Sequence, residues 1–125
     1  MNRLLVVEDD PGQQNLLQMI FKYSVKLDIV TDNTYNLKDA VEQLEKHNYD
    51  MVVCDLRLPY SANIRNTIET VEQYKKDSKV IYCTVEDIDA ETLKLIKDSG
   101  SLFVSKNLDF MTYLQLELES NLRKS

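Results

Sequence analysis

Met51-Val52-Val53-Cys54-Asp55-Leu56-Arg57-Leu58-Pro59 opens with four apolar residues, turns acidic at Asp55 and is closed by a proline. An apolar run this short and unbroken reads as a strand buried on both faces. The acid that ends it is then carried to the edge of a sheet. Similar runs occur at Leu4-Leu5-Val6-Val7, Val80-Ile81-Tyr82-Cys83 and Leu102-Phe103-Val104. A fifth, Leu27-Asp28-Ile29-Val30, includes an acid and is expected at a sheet edge.

The stretches between these runs carry apolar residues at helical spacing. They are Leu16, Leu17, Ile20 and Phe21; Leu37, Val41 and Leu44; Ile64, Ile68 and Val71; Leu93 and Ile96; and Leu108, Met111, Leu114 and Leu118. Asp10-Pro11 supplies an N-cap followed by proline at the first helical position, and Ser99-Gly100 a C-terminal stop. A strand followed by a helix, five times over, predicts an α/β fold with a parallel sheet covered on both faces.

The chain has 125 residues, 43 % of them hydrophobic, which fits a single domain spanning 1–125. A formal charge of −6 without a dense basic patch weighs against direct nucleic-acid binding. The apolar runs are too short for a membrane span, and Glu8, Asp9 and Asp10 interrupt the amino terminus too early for a signal peptide. Cys54 and Cys83 lie inside apolar runs rather than at ligand spacing, so reduced core thiols and a cytoplasmic location are expected.

In an open parallel sheet, ligands gather beyond the carboxyl ends of the strands. The first run is followed by Glu8-Asp9, the third by Asp55, the fourth by Thr84 and the fifth by Ser105-Lys106. Each pair of carboxylates at ~4 Å repels by about 1 to 4 kcal/mol, depending on solvent exposure. A hard divalent cation relieves that repulsion, and Mg²⁺ combines one or two carboxylates with water and phosphate oxygens. An ionised Asp55 beside such an ion can attack phosphorus and form an acyl phosphate. Thr84 can donate to a phosphoryl oxygen, and Lys106 can offset its charge.

Val6-Val7-Glu8-Asp9, Asp55-Leu56-Arg57-Leu58-Pro59, Cys83-Thr84 and Lys106 together resemble the receiver domain of two-component response regulators, of which the chemotaxis receiver is one. The resemblance covers the whole chain. It implies a flavodoxin-like doubly wound (βα)5 sheet of strand order 2-1-3-4-5. It also implies a phosphoacceptor at Asp55, a Mg²⁺ ion held by Glu8, Asp9, Asp55 and the backbone carbonyl of Arg57, a switch pair in Thr84 and Phe103, and a phosphate-binding amine in Lys106. The domain would then be a signalling unit rather than an enzyme. A sensor histidine kinase or phosphotransfer protein would supply its phosphoryl group. Its state would pass to a separate effector through the face of the fourth helix, fifth strand and fifth helix, near Lys94, Lys97, Phe103 and Tyr113.

Three positions depart from the usual receiver pattern. Asn107 replaces the proline that normally follows the lysine, Val85 replaces a small residue after the threonine, and Asn63 stands where the loop after Asp55 usually has glycine. Val85 is expected to narrow access to the site, and Asn63 to preserve a left-handed turn. Arg57 and Glu86 are expected to pair across the site. Two other functions compete with this reading. One is a degenerate receiver that binds partners without phosphorylation. The other, a phosphohydrolase of the haloacid dehalogenase type, wants an aspartate where Arg57 stands. Asp10 is expected to cap a helix, His47 to be solvated, and Cys54 to be core.

Overall fold

The computed structural model describes residues 1–59 and 61–124, without the side chain of Val25. The five parallel strands are β1 (Asn2–Val7), β2 (Ile29–Thr34), β3 (Met51–Asp55), β4 (Lys79–Thr84) and β5 (Leu102–Ser105). They alternate with helices α1 (Pro11–Tyr23), α2 (Leu37–Lys46), α3 (Ile64–Tyr74), α4 (Ala90–Asp98) and α5 (Phe110–Asn121). The strands form one sheet of order β2-β1-β3-β4-β5, the flavodoxin-like doubly wound arrangement. No helix of the described residues is long and apolar enough to cross a membrane.

Alternation along each strand divides the core into two layers. Leu4, Val6, Met51, Val53, Ile81, Cys83 and Val104 face α1 and α5. Leu5, Val7, Val52, Cys54, Val80 and Tyr82 face α2, α3 and α4. Both faces of the central strands are therefore dry, which is why their sequences are continuous apolar runs. The two cysteines are free, buried and on opposite faces of the sheet.

Two elements lie elsewhere than their sequence predicts. The second strand is expected at Leu27–Val30 but runs from Ile29 to Thr34. Val25–Leu27 winds instead into a single 3₁₀ turn that buries Leu27, and Asp28 takes a left-handed conformation (φ 50°) to leave it. The strand continues through Thr31, Asp32 and Asn33 because the edge of β1 must find backbone partners. Its polar side chains are used: Gln18 accepts from Thr31 and donates to Asn33, and Arg3 pairs with Asp32 at 2.8 Å. The fifth helix begins at Phe110, so its buried seam is Phe110, Leu114 and Leu118. Leu108 lies fully exposed in the preceding loop and Met111 is 39 % exposed, outside the buried seam.

Asn63 is also not left-handed. Its backbone is extended (φ −169°) and its carboxamide accepts from the Asn66 N–H, capping α3. A capping side chain satisfies a backbone donor that glycine would leave to water. Asp10 caps α1 as expected, accepting from the Gly12 N–H at 2.8 Å with Pro11 in the first helical position. Gly100 ends α4 at φ 78°. His47 is half-buried rather than solvated, with its ring edge-on to Tyr49.

Candidate functional site

Parallel pairing sets the strand ends at known heights. Val7 lies opposite Cys54, Asp55 opposite Cys83, and Thr84 opposite Ser105. Glu8, Asp55, Thr84 and Lys106 therefore emerge on one edge of the sheet. Together with Asp9, Asp10, Gln13, Arg57, Val85 and Glu86 they line one open cavity of about 320 Å³.

Lys106 reaches from β5 across β4 to the acids. Its Nζ donates to Asp55 Oδ2 at 2.9 Å and to Glu8 Oε2 at 3.0 Å, with only 5 % of the side chain exposed. The other Asp55 oxygen accepts from the Arg57 N–H at 2.8 Å. Carboxylate oxygens of Glu8, Asp9 and Asp55 lie within 4.8 Å of one another. Glu8 is buried and Asp9 exposed, so the set is closed on one side and open to solvent on the other. Hard oxygen donors arranged in this way suit a divalent cation such as Mg²⁺, which keeps several waters.

The electrostatics reflect this crowding. Burial, together with the Asp55 carboxylate, pushes the Glu8 carboxyl up to about 8, although Lys106 opposes the shift. Burial acts the same way on Asp55. There it is outweighed by the hydrogen bonds that Glu8, the Arg57 N–H and Lys106 direct to it, and its carboxyl lies below the ordinary range. Burial also disfavours the Lys106 ammonium, but the buried acceptors around it keep it above the usual lysine value. Of the two buried acids, Asp55 is thus the one whose ionised form the site favours.

Thr84 is buried, and its Oγ1 accepts from the Glu86 N–H at 3.3 Å. The Lys106 N–H donates to the Thr84 carbonyl at 2.9 Å, which ties the two loops together. Among the described residues there is no cis peptide bond, so Lys106-Asn107 is trans. Asn107 instead accepts from the Asp109 N–H ahead of α5. Phe103 does not line the cavity. It lies half-buried beside Tyr82, on the side of the sheet that α4 covers. Val85 is 72 % exposed and sits on the rim, with most of its bulk in solvent rather than over the acids. Arg57 and Glu86 do pair across the rim, at 2.7 Å.

One residue of the site escapes a reading by motifs. Gln14 is buried in the first turns of α1, and its Nε2 donates to the carbonyls of both Glu8 and Thr34 at 3.0 Å. It pins the turn from which Glu8 and Asp9 project. The signal was a polar residue in register with the core positions Leu17 and Phe21.

Residues 4–116 match the family model of the response regulator receiver domain. The autoinducer 2 sensor kinase/phosphatase LuxQ of Vibrio cholerae is 31 % identical over 104 residues, covering 82 % of this chain and 11 % of that protein. The chemotaxis protein CheY of Halobacterium salinarum is 24 % identical over 104 residues, covering 83 % of each chain. The chain spans about a tenth of the LuxQ proteins and 44 % of the regulator DegU of Brevibacillus brevis. Among solved structures, the response regulator TrrA of Thermotoga maritima, in complex with Mg²⁺-BeF, superposes with a TM-score of 0.79 at 24 % identity. That match covers 98 % of this chain and 100 % of TrrA, and TrrA has also been solved with the histidine kinase ThkA. This chain belongs to the response regulator receiver domain family of two-component signalling.

Proposed function

We propose that this chain is a cytoplasmic receiver domain that takes a phosphoryl group on Asp55 and reports it to an effector. The observation that carries the reading is the setting of Asp55. Its carboxylate is the depressed member of the acidic cluster, held by Lys106 at 2.9 Å and by the Arg57 N–H at 2.8 Å. Glu8, Asp9, Asp55 and the Arg57 carbonyl would hold Mg²⁺. When bound, that ion supplies charge neutralisation at the transferring phosphoryl oxygens. Asp55 is the nucleophile, and Lys106 is placed to follow the negative charge from its carboxylate to the phosphoryl group. The Thr84 hydroxyl lines the same cavity and can donate to a phosphoryl oxygen.

Those new contacts are the source of the switch. Swinging a two-state equilibrium from 1:99 to 99:1 takes about 5.5 kcal/mol of differential interaction. Charged hydrogen bonds contribute ~1.5–3 kcal/mol each, so a new bond from Thr84 supplies part of that figure. Lys106, already bonded to Asp55 at 2.9 Å, adds only the difference between its old and new acceptors. Movement of Thr84 would be felt by Phe103 one strand away, and then by the α4–β5–α5 face. That face displays Lys94, Lys97 and Tyr113, all exposed, to an effector. A sensor histidine kinase or phosphotransfer protein is the expected donor, in keeping with the ThkA complex of TrrA. The intact acids and Lys106 weigh against a binding-only receiver.

The test is intact mass after treatment with acetyl phosphate and Mg²⁺. A phosphoryl adduct is expected on the wild type and not on Asp55→Asn. Equal adducts on both would move the acceptor elsewhere. No adduct from acetyl phosphate or from a phosphorylated kinase would refute the reading.

A further inference from the structure

Gln14 is a polar residue in the buried seam of α1, beside Leu17 and Phe21. Its Nε2 donates at 3.0 Å to the Glu8 carbonyl, at the head of the acidic turn, and at 3.0 Å to the Thr34 carbonyl, at the end of β2. Thr34 is tied in turn to β1. Its carbonyl accepts from the Glu8 N–H and its Oγ1 donates to the Val6 carbonyl, both at 3.0 Å. The main chain of Glu8 is thereby fixed from two sides, by its own N–H and by its own carbonyl. The amide also carries a penalty. Gln14 is only 4 % exposed, and its Oε1 meets no donor among the described residues. A buried acceptor without a partner disfavours folding, and an apolar side chain of the same length would carry none. The benefit of the amide therefore lies in what its donors hold.

Glu8 and Asp9 are consecutive residues of this clamped turn and supply two of the three carboxylates whose oxygens cluster within 4.8 Å. Mg²⁺ demands near-octahedral geometry at about 2.0–2.1 Å, whereas Ca²⁺ accepts about six to eight oxygens in a looser array at about 2.3–2.6 Å. A turn free to drift would therefore penalise the smaller ion more than the larger one. We infer that Gln14 is a positioning residue that sets the preference of the acidic site for Mg²⁺ over Ca²⁺, acting through the main chain of Glu8 and Asp9. The inference rests on the reading of Glu8, Asp9 and Asp55 as a divalent-cation site. Loss of a partner that orients a metal ligand lowers affinity by about 10- to 100-fold. Gln14 holds the backbone of a ligand rather than its carboxylate, so the lower end, about tenfold, applies.

The experiment titrates Mg²⁺ and, separately, Ca²⁺ into the metal-free full chain by calorimetry, for the wild type, Gln14→Met and Leu114→Ala. Gln14→Met keeps the length of the side chain while removing both the bonds and the unpaired acceptor. It is expected to bind Mg²⁺ about tenfold more weakly and Ca²⁺ less than about threefold more weakly. Leu114→Ala, in the fully buried seam of α5, is expected to lower Tm more than Gln14→Met does and to leave both affinities as in the wild type. By reciprocity, bound Mg²⁺ steadies the bonds on which its affinity depends. Exchange of the Gln14 side-chain amide protons of the wild type, followed by NMR, should therefore slow by about the same factor when Mg²⁺ is added. That measurement decides the matter even if Gln14→Met does not fold. An unchanged Mg²⁺ affinity, equal losses for the two ions, the same losses in Leu114→Ala, or amide exchange indifferent to Mg²⁺ overturns the inference. A wild type that binds neither ion refutes instead the cation-site reading, and the inference with it.

Discussion

Replacing Lys106 with methionine keeps most of the buried stem and removes the one ammonium that bridges Glu8 and Asp55. Removing one partner of a buried ion pair costs about 3–5 kcal/mol, because the other charge is left uncompensated. The lower end applies here. With its carboxyl pushed up to about 8, Glu8 is largely protonated at neutral pH, so chiefly the Asp55 charge is orphaned. The Arg57 N–H still serves that charge. Unfolding entropy of roughly 2.1 cal/mol/K per residue gives about 0.26 kcal/mol per degree for a chain of this length, so ~3 kcal/mol lowers Tm by about 11 °C. Thermal melts by circular dichroism at pH 7 in EDTA would measure it. The Asp55 carboxyl lies below its ordinary value in the folded state. Stability from its pairing is therefore present above the unfolded value of about 3.9 and is lost as pH falls through the lower, folded one. The gap between wild type and variant should close over that acid range. A gap under about 2 °C at pH 7, or one that persists at acid pH, would refute an energetic role for the Lys106 bridge.

Leu114→Ala, at a fully buried seam position of α5, should cost about 2–5 kcal/mol in urea melts, while Leu108→Ser should change stability by less than about 0.5. Equal costs would mean the helix register is wrong. Asn63→Ala should cost about 1 kcal/mol and Asn63→Gly only a few tenths, as expected for an N-cap; a gain in stability with glycine would restore the left-handed turn. Cys54 and Cys83 are fully buried and burial pushes both thiols up, the Cys83 thiol to about 12. Thiol reagents should therefore label the two cysteines only as fast as the protein unfolds, and rapid labelling of the native protein would show the strands open.

Much of this is legible in the amino-acid sequence. The central strands announced themselves because both their faces are buried, which forces continuous apolar runs. The acids and Lys106 were legible because each directly ends a run, and parallel pairing brings all such ends to one edge. The second strand was not legible, because an edge strand of Thr31, Asp32 and Asn33 is held by backbone pairing and by partners on α1 and β1. Nor was the seam of α5. Leu108, Met111, Leu114 and Leu118 are spaced as acceptably as Phe110, Leu114 and Leu118, and only the point where the helix begins chooses between them.

The amino-acid sequence alone thus determined the class of fold, the edge where chemistry collects and the residue types brought there, since these follow from hydrophobic periodicity and chain direction. The tertiary structure decided which acid keeps its charge and which partners meet across loops. Glu8 and Asp55 are both carboxylates at strand ends, and only depth of burial and the reach of Lys106 separate them. Gln14 joins the site through two carbonyls distant in the chain. Such effects fall off over a few ångströms, and the distances that control them exist only once the chain has closed upon itself.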